Sequence, residues 1–594
     1  MTKNLLYIIL ILLPLSLAAQ EKPKSIERFV DEIDKKIPQM LEDFSIPGAA
    51  LALMVDGEIV LKKAYGFANI EKGLKVDMQT GFNVGSISKT VAAWGVMKLV
   101  DEGKLELDSP AERYLTRWHL PTSEFDSDEV TIRRLLSHTA GLSLPSVSAE
   151  HSFDDLPSIV EWLNGKNEGL GPVEIILEPG SKWEYSGGGY GLLQLIMEEV
   201  SGQKFEDYMQ MEVLDPLGMT NSSFKIDEKI RDRSATPYDA FGEPTKFGLY
   251  TVQAAAGLHT TLEDFIRFAY VSLPEHKEHT KYNRLLPPET VRQMLEPSPN
   301  TTIRAWKYGL GYQSVHLENS NIFIGHAGSN IGWEANFRID APSKTGFIIL
   351  TNGGAGGNIC NPMFCELINW KSSKASGDDC WPRLSIANLL YPIIEDKGTE
   401  DLHASYTNLK KEQSEAYDFS ESQLNNLGYH YMAKEEFEKA IAVFKLNTEV
   451  FPYASNVYDS YGEALLANGS KKEAVENYKY SIRLNPENQN ALNILKKLGE
   501  SLEDIHLKLP LEHLELLEGE YLATSGTDKI IRYAVRNGEF LRVYKDSDFT
   551  SRLLPIARNE FVYMGRGLHV VFDTKDPNSI ILKVPGEGEF KKIK

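Results

Sequence analysis

The sequence predicts an α+β protein that runs on into an α-helical repeat segment and a small all-β domain. Three patterns predict this. Residues 91–100, a largely apolar run after Ser86-Ile87-Ser88-Lys89, read as a buried helix, while 333–340 and 347–351 read as strands joined by a turn at 341–346. A spacing of 34 relates Gly428 to Gly462, Ala440 to Ala474 and Pro452 to Pro486, with Phe444 and Tyr478 in the same register. After residue 511 the chain breaks into short β-rich runs, two of which flank the turn signal Asn537-Gly538. A chain of 594 residues is expected to form roughly three or four domains, with a core large enough to need no disulfide.

The N-terminus reads as a targeting segment. Lys3 supplies a positive charge, and residues 5–17 form an apolar stretch that Pro14 interrupts and that is too short to span a bilayer. Ser16-Leu17-Ala18 offers a small-x-small cleavage site. Residues 1–19 are therefore expected to be a signal peptide. The mature protein is then exported, periplasmic in a Gram-negative cell and otherwise secreted, and does not span a membrane. An uncleaved anchor is the alternative. No cysteine lies beside the cleavage site, so a lipid anchor is not indicated. The net charge of −21 argues against nucleic acid or an anionic membrane surface as partner. The cysteines are Cys360, Cys365 and Cys380, and in an oxidising compartment Cys380 can pair with either of the others. No neighbouring histidine supports a metal site there, and no cofactor is expected.

Ser86 and Lys89 lie three residues apart, on one face of a helix. The amine can then help remove the hydroxyl proton, a serine–lysine form of activated nucleophile. Ser86 falls at the expected helix N-terminus, where free backbone N–H groups favour developing negative charge. A lysine acts as a base in its neutral form, which burial among apolar neighbours favours. The spacing alone arises by chance about twice in a chain of this length. Its weight comes from two further motifs, Tyr185-Ser186-Gly187 and His326-Ala327-Gly328. Taken singly, Tyr185 reads as a core aromatic beside a glycine-rich turn, and His326 as a satisfied buried histidine.

Together the motifs resemble the serine β-lactamase and penicillin-binding-protein family. The likeness is closest to its class C β-lactamase, D-alanyl-D-alanine carboxypeptidase and esterase branch. That family orders S-x-x-K, then Y-x-N or Y-S-x, then K-T-G or H-x-G. Leu135-Leu136-Ser137-His138-Thr139-Ala140-Gly141-Leu142, Pro216-Leu217-Gly218-Met219 and Ala256-Gly257-Leu258 add to the resemblance, which covers residues 26–370. It implies a β-lactamase/transpeptidase-like domain: an antiparallel sheet flanked by helices, a helical subdomain, and the active site between them. It also implies that Ser86 is the acylated nucleophile, Lys89 its base, and Tyr185 the group that exchanges a proton with the leaving group. The oxyanion would lie between the backbone N–H groups of Ser86 and Ser329, with Gly187, His326 and Gly328 on the substrate side.

Two positions depart from the family pattern. Gly187 stands where asparagine is usual, and His326 where lysine is usual. A neutral imidazole is a weaker clamp for a carboxylate. An ester, a D-amino-acid amide or a small peptide is therefore favoured over a β-lactam. A literal Lys344-Thr345-Gly346 is set aside, because it falls in the expected hairpin turn, whereas His326 follows the apolar run 322–324. A catalytically idle module serving as a protein-binding scaffold is the alternative reading.

Other chemistry finds no support. G-x-S-x-G and H-E-x-x-H are absent, His276-Lys277-Glu278-His279 reads as a charged loop, and Gly187-Gly188-Gly189 lacks the lysine of a phosphate loop. After Trp370 a polar stretch opens a linker with two short helices, together 371–415. Residues 416–500 resemble tetratricopeptide repeats, with 491–498 as a terminal cap. Two repeats are few for a solenoid, so a groove for a peptide or protein partner and a plain helical spacer are both open. Residues 511–594 are expected to form a small antiparallel barrel or sandwich. Lipocalin-like barrels often trail hydrolases of this family, and the segment resembles one.

Overall fold

The computed structural model describes residues 25–593, apart from 148, 151, 154–155, 168, 275–284, 302–305, 318–320, 373–379, 503–504, 506, 525–530, 538–539, 546–547, 565–567, 577–578 and 586. The expected signal peptide and the run His276-Lys277-Glu278-His279 lie outside the described residues. Among the described residues no helix is long and apolar enough to cross a membrane. The chain divides into two units, Met1–Pro382 and Arg383–Lys594.

The first unit is built on one sheet. Its strands are β1 (Gly48–Val55), β2 (Glu58–Asn69), β3 (Leu74–Lys75), β4 (Trp306–Tyr308), β5 (Gln313–His316), β6 (Ile322–Asn330), β7 (Trp333–Asp340) and β8 (Thr345–Thr351). They lie in the order β3-β2-β1-β8-β7-β6-β5-β4, every pairing antiparallel. All eight residues of β1 are buried, as expected of a central strand covered on both faces. Along β7 the period of two sorts the side chains. Trp333, Ala335, Phe337 and Ile339 join the main core. Asn336, Arg338 and Asp340 face the other way, where Asn336 donates to the Cys360 carbonyl and Asp340 pairs with Lys371.

Helices cover both faces. On the back lie α1 (Ile26–Asp43) and the C-terminal helix Gly357–Ser372, with Phe29 stacked on Trp370 at 4.8 Å. Helix α1 starts where the Ser25 side chain accepts from the Arg28 amide, and it buries Phe29, Ile33, Ile37, Met40 and Leu41, the i, i+4 stripe of an amphipathic helix. On the front lies α2 (Ile87–Asp101), which is apolar nearly all round and buried from Ile87 through Met97. Helix α3 (Gly187–Ser201) packs beside it and ends at Gly202, whose φ of +69° supplies the left-handed cap.

Three details differ from the sequence expectation. Strand β6 does not stop at Ile324 but runs through the His326 motif, because it pairs with β7 as far as Asn330↔Trp333. Strand β8 begins at Thr345, so the turn is tighter than expected, and Lys344 sits in it at φ +53°. The helix that holds Trp370 runs on through Ser372, into the stretch expected as linker. Of the two cysteine pairings left open, Cys365 is bonded to Cys380, and Cys360 is a buried free thiol.

The second unit opens with helices Ala387–Lys397 and Leu402–Gln413. Two helix pairs follow, Glu421–Ala433 with Phe437–Val450 and Ser455–Ala467 with Lys471–Leu484, and each start is repeated 34 residues on (421 to 455, 437 to 471). The repeating glycines are where the helices touch. A Cβ at Gly428 would meet the Phe444 ring at 2.4 Å, and one at Gly462 the Tyr478 ring at 3.2 Å. Helix Gln489–Lys497 closes the row. Eight antiparallel strands then form a closed barrel, filled by Tyr521, Leu541, Leu553, Phe561, Val570, Phe572, Leu582 and Phe590. Strands Ile531–Asn537 and Phe540–Lys545 pair as the hairpin expected, and its turn at Gly538 lies outside the described residues.

Candidate active site

The turn ahead of α2 is fixed before any chemistry is added. Asn83 accepts the Gly85 amide at 2.8 Å and donates to the Ala256 carbonyl at 3.1 Å, and Asn330 donates to the same Asn83 oxygen at 2.6 Å. Gly85 takes φ +50°. These bonds place Ser86 at the N-cap of α2, half-buried, and among the described residues its backbone N–H has no hydrogen-bond partner. One turn later Lys89 is 2% exposed. Its Nζ lies 3.1 Å from Ser86 Oγ and 2.9 Å from the Ala255 carbonyl.

Strand β6 supplies the opposite wall. Strand β5 pairs with it only from Ile322 to Gly325, so from His326 onward its outer edge carries no strand partner. That edge lies against the α2 turn at a distance only glycine permits. A Cβ at Gly328 would sit 1.9 Å from the Val84 carbonyl oxygen and 2.9 Å from the Ser86 nitrogen, and one at Gly85 would sit 2.6 Å from the Ser329 nitrogen. The Ser329 amide is thereby held one residue from Ser86. The Ser329 hydroxyl points to the back of the sheet, where it donates to Glu334 Oε1 at 2.5 Å; burial pushes that carboxyl up to about 7.

Aromatic rings form the third wall. Lys89 Nζ lies 4.9 Å from the Tyr185 ring centroid and 5.8 Å from that of Tyr190. Tyr185 is half-buried, whereas His326 is 1% exposed. His326 Nδ1 donates to the Ala327 carbonyl at 2.5 Å, so Nε2 accepts from Tyr308 Oη at 3.0 Å. Burial, with Lys89 and Arg338 nearby, pushes His326 down to about 3. It is a neutral imidazole with both nitrogens engaged, and it presents no charge to a ligand. Gly187 is buried under the segment before it: a Cβ there would meet the Ser146 oxygen and Val147 at 3.0 Å. Lys344 remains in its hairpin turn.

The structure thus brings Ser86, Lys89, Tyr185, Gly328 and Ser329 together, with His326 behind them. Sequence reasoning missed Tyr308, Asn83 and Asn330, whose roles depend on strand register rather than local pattern. It quoted His138 only as part of a supporting stretch. That residue packs on Tyr185 with ring centroids 4.3 Å apart.

The chain matches the Beta-lactamase family over residues 33–358, more than half its length. It is 25% identical over 328 residues to "Protein flp" of Staphylococcus aureus (strain N315), covering 54% of this chain and 62% of that protein. It is 26% identical over 309 residues to a Bacillus subtilis (strain 168) protein described as "Putative penicillin-binding protein PbpX", covering 51% and 70%. A solved structure, the octameric penicillin-binding protein homologue from Pyrococcus abyssi, aligns at 19% identity and a TM-score of 0.47 over 95% of this chain and all of that one. By its sequence, the chain belongs to the Beta-lactamase family.

Proposed function

We propose that the chain is an exported serine hydrolase that works through an acyl-enzyme at Ser86, on an uncharged ester, a D-amino-acid amide or a small peptide. One observation carries this reading: Lys89 Nζ lies 3.1 Å from a half-buried Ser86 Oγ at a helix N-terminus. The Ser86 proton passes to the Lys89–Tyr185 pair as Oγ bonds the carbonyl carbon. The amides of Ser86 and Ser329 receive the oxyanion. The pair then returns the proton to the leaving oxygen or nitrogen as its bond to carbon breaks. Water repeats the sequence, releasing the acid and restoring Ser86.

The substrate preference rests on His326. Being neutral and enclosed, it cannot clamp a carboxylate as a lysine would, so a penicillin should react more slowly than an uncharged ester. By this reading the protein belongs to the esterase-like part of the class C branch, and the helix pairs of the second unit are tetratricopeptide repeats that dock a partner. The N-terminal segment supports export, to the periplasm in a Gram-negative cell and otherwise outside the cell.

The test is intact-protein mass spectrometry of wild type and Ser86→Ala after a fluorophosphonate, a penicillin or a p-nitrophenyl ester. A Ser86-dependent adduct, formed faster with the uncharged reagents, is expected. A folded protein that takes no adduct would leave the scaffold reading, carried by the paired helices, in its place.

A further inference from the structure

His138 is held in an unusual way. Its φ is +58°, a left-handed conformation that a side chain other than glycine rarely adopts, and such residues gather where a precise geometry is maintained. From that position it makes two bonds to one short turn. Its carbonyl accepts the Glu184 amide at 2.8 Å, and its ring Nδ1 accepts the Ser186 amide at 3.1 Å. Tyr185 lies between those two amides. Leu144, the next left-handed residue after His138 that is not glycine, at φ +64°, accepts the next amide, Gly187, at 2.6 Å. The two strained residues therefore grip the two ends of the Tyr185-Ser186-Gly187 turn.

The His138 ring is 2% exposed. Since Nδ1 accepts, the proton of the neutral ring is on Nε2, and among the described residues that buried Nε2–H has no partner. An orphaned donor costs free energy unless it is used at another stage. We propose that His138 is the positioning residue of this site: it clamps Tyr185 between two tethered amides and keeps a neutral N–H for the phenolate that Tyr185 becomes after giving up its proton. The proposal rests on the acyl-enzyme reading above. Preorganised donors of this kind act where charge develops rather than where it rests.

The surrounding groups are Lys89, Tyr190, Tyr308 and His326, with Arg338 beyond them; Trp183 completes the wall of rings. Burial pushes Tyr190 and Tyr308 up and His138 and His326 down. None of these four changes charge between about pH 7 and pH 9. Glu334, bonded to the Ser329 hydroxyl and pushed up to about 7 by burial, and Arg338, pushed down to about 9 by burial, are the same in wild type and variants, so the displacement of a rate limb between them, not its position, reads the change made at His138.

Two variants separate the ring nitrogens. His138→Asn can still accept the Ser186 amide but has no group at the Nε2 position, while His138→Gln carries an N–H near that position. The measurement is the pH profile of Ser86 acylation by a p-nitrophenyl ester, with wild type alongside. For His138→Asn the rate at pH 7 should fall at least 10-fold and the rising limb should move up by about one pH unit. His138→Gln should keep the limb within about 0.3 unit. A His138→Asn limb that stays in place overturns the proposal, as a purely structural role would leave it there. If His138→Asn does not fold, a His138→Gln limb shifted by a full unit overturns it instead. Failure of wild type to acylate would defeat the acyl-enzyme reading, a result distinct from either.

Discussion

Three histidines of the first unit are withdrawn from water. His138, His259 and His326 are all buried, and burial is the largest cause pushing each of them down, His259 and His326 to about 3. The unfolded chain accepts protons at these sites below about pH 6.5, whereas the folded chain does not. Between roughly pH 3 and 6.5 the unfolded state therefore binds more protons, so stability rises with pH and is lost as acid is added. A single such histidine contributes a slope of up to about 1.4 kcal/mol per pH unit. His259 lies outside the candidate site, stacked on Phe247 at 4.9 Å, with Nδ1 3.1 Å from the Ser234 hydroxyl. His259→Gln should flatten the pH slope of unfolding free energy between pH 4 and 6 by about that amount. Urea titrations followed by tryptophan fluorescence measure it, because all eight tryptophans lie at or before residue 381. An unchanged slope would mean that His259 is protonated in the folded chain. Ser86, Lys89 and Tyr185 were legible in the sequence because the S-x-x-K and Y-S-G spacings are local. His138 was not, since its weight comes from a left-handed backbone and from amides 46 and 48 residues away (138 to 184, 138 to 186).

At the level of elements, the decisive contact is between strand β6 and the turn that begins α2. Both sides are glycine, Gly328 and Gly85, and the two backbones meet with no room for a methyl group. Gly328→Ala would force the strand away from Val84 and carry the Ser329 amide with it. Loss of one oxyanion donor costs about 100-fold or more in rate. The variant should therefore acylate at least 100-fold more slowly than wild type, with its circular dichroism retained. Acylation at the wild-type rate would show that the Ser329 amide takes no part. The sequence marked Gly328 through its motif but could not show this approach, which needs the register Gly328↔Ala335 on one side and an unpaired strand edge on the other. For the same reason it ended β6 too early: glycine and alanine in the motif look like a break, and only the partner strand reveals that the ladder continues. The glycines of the second unit were legible because helix packing repeats them at a fixed interval, as Gly428 and Gly462 do against Phe444 and Tyr478.

Across the whole molecule, every group of the candidate site belongs to the first unit, from Asn83 to Asn330. That unit closes its own core. Strands β1 and β8 unite the two halves of the sheet, α1 stacks on the C-terminal helix through Phe29 and Trp370, and the Cys365–Cys380 bond ties that helix to the residues just before Pro382. The second unit has separate cores, one among the repeat helices and one inside the barrel. On the proposed mechanism the groups that act with Ser86 all precede Pro382. A chain ended after Pro382 should fold, keep the tryptophan-detected urea midpoint of the full protein, and acylate Ser86 at a rate within about threefold of it. Mass spectrometry and fluorescence on the two forms measure both quantities. A shortened chain that unfolds cooperatively at the same urea concentration but acylates more than 10-fold more slowly would place a determinant of the reaction in the repeats or the barrel. Equal rates would assign the chemistry to the first unit and leave the repeats and barrel to recognition or location.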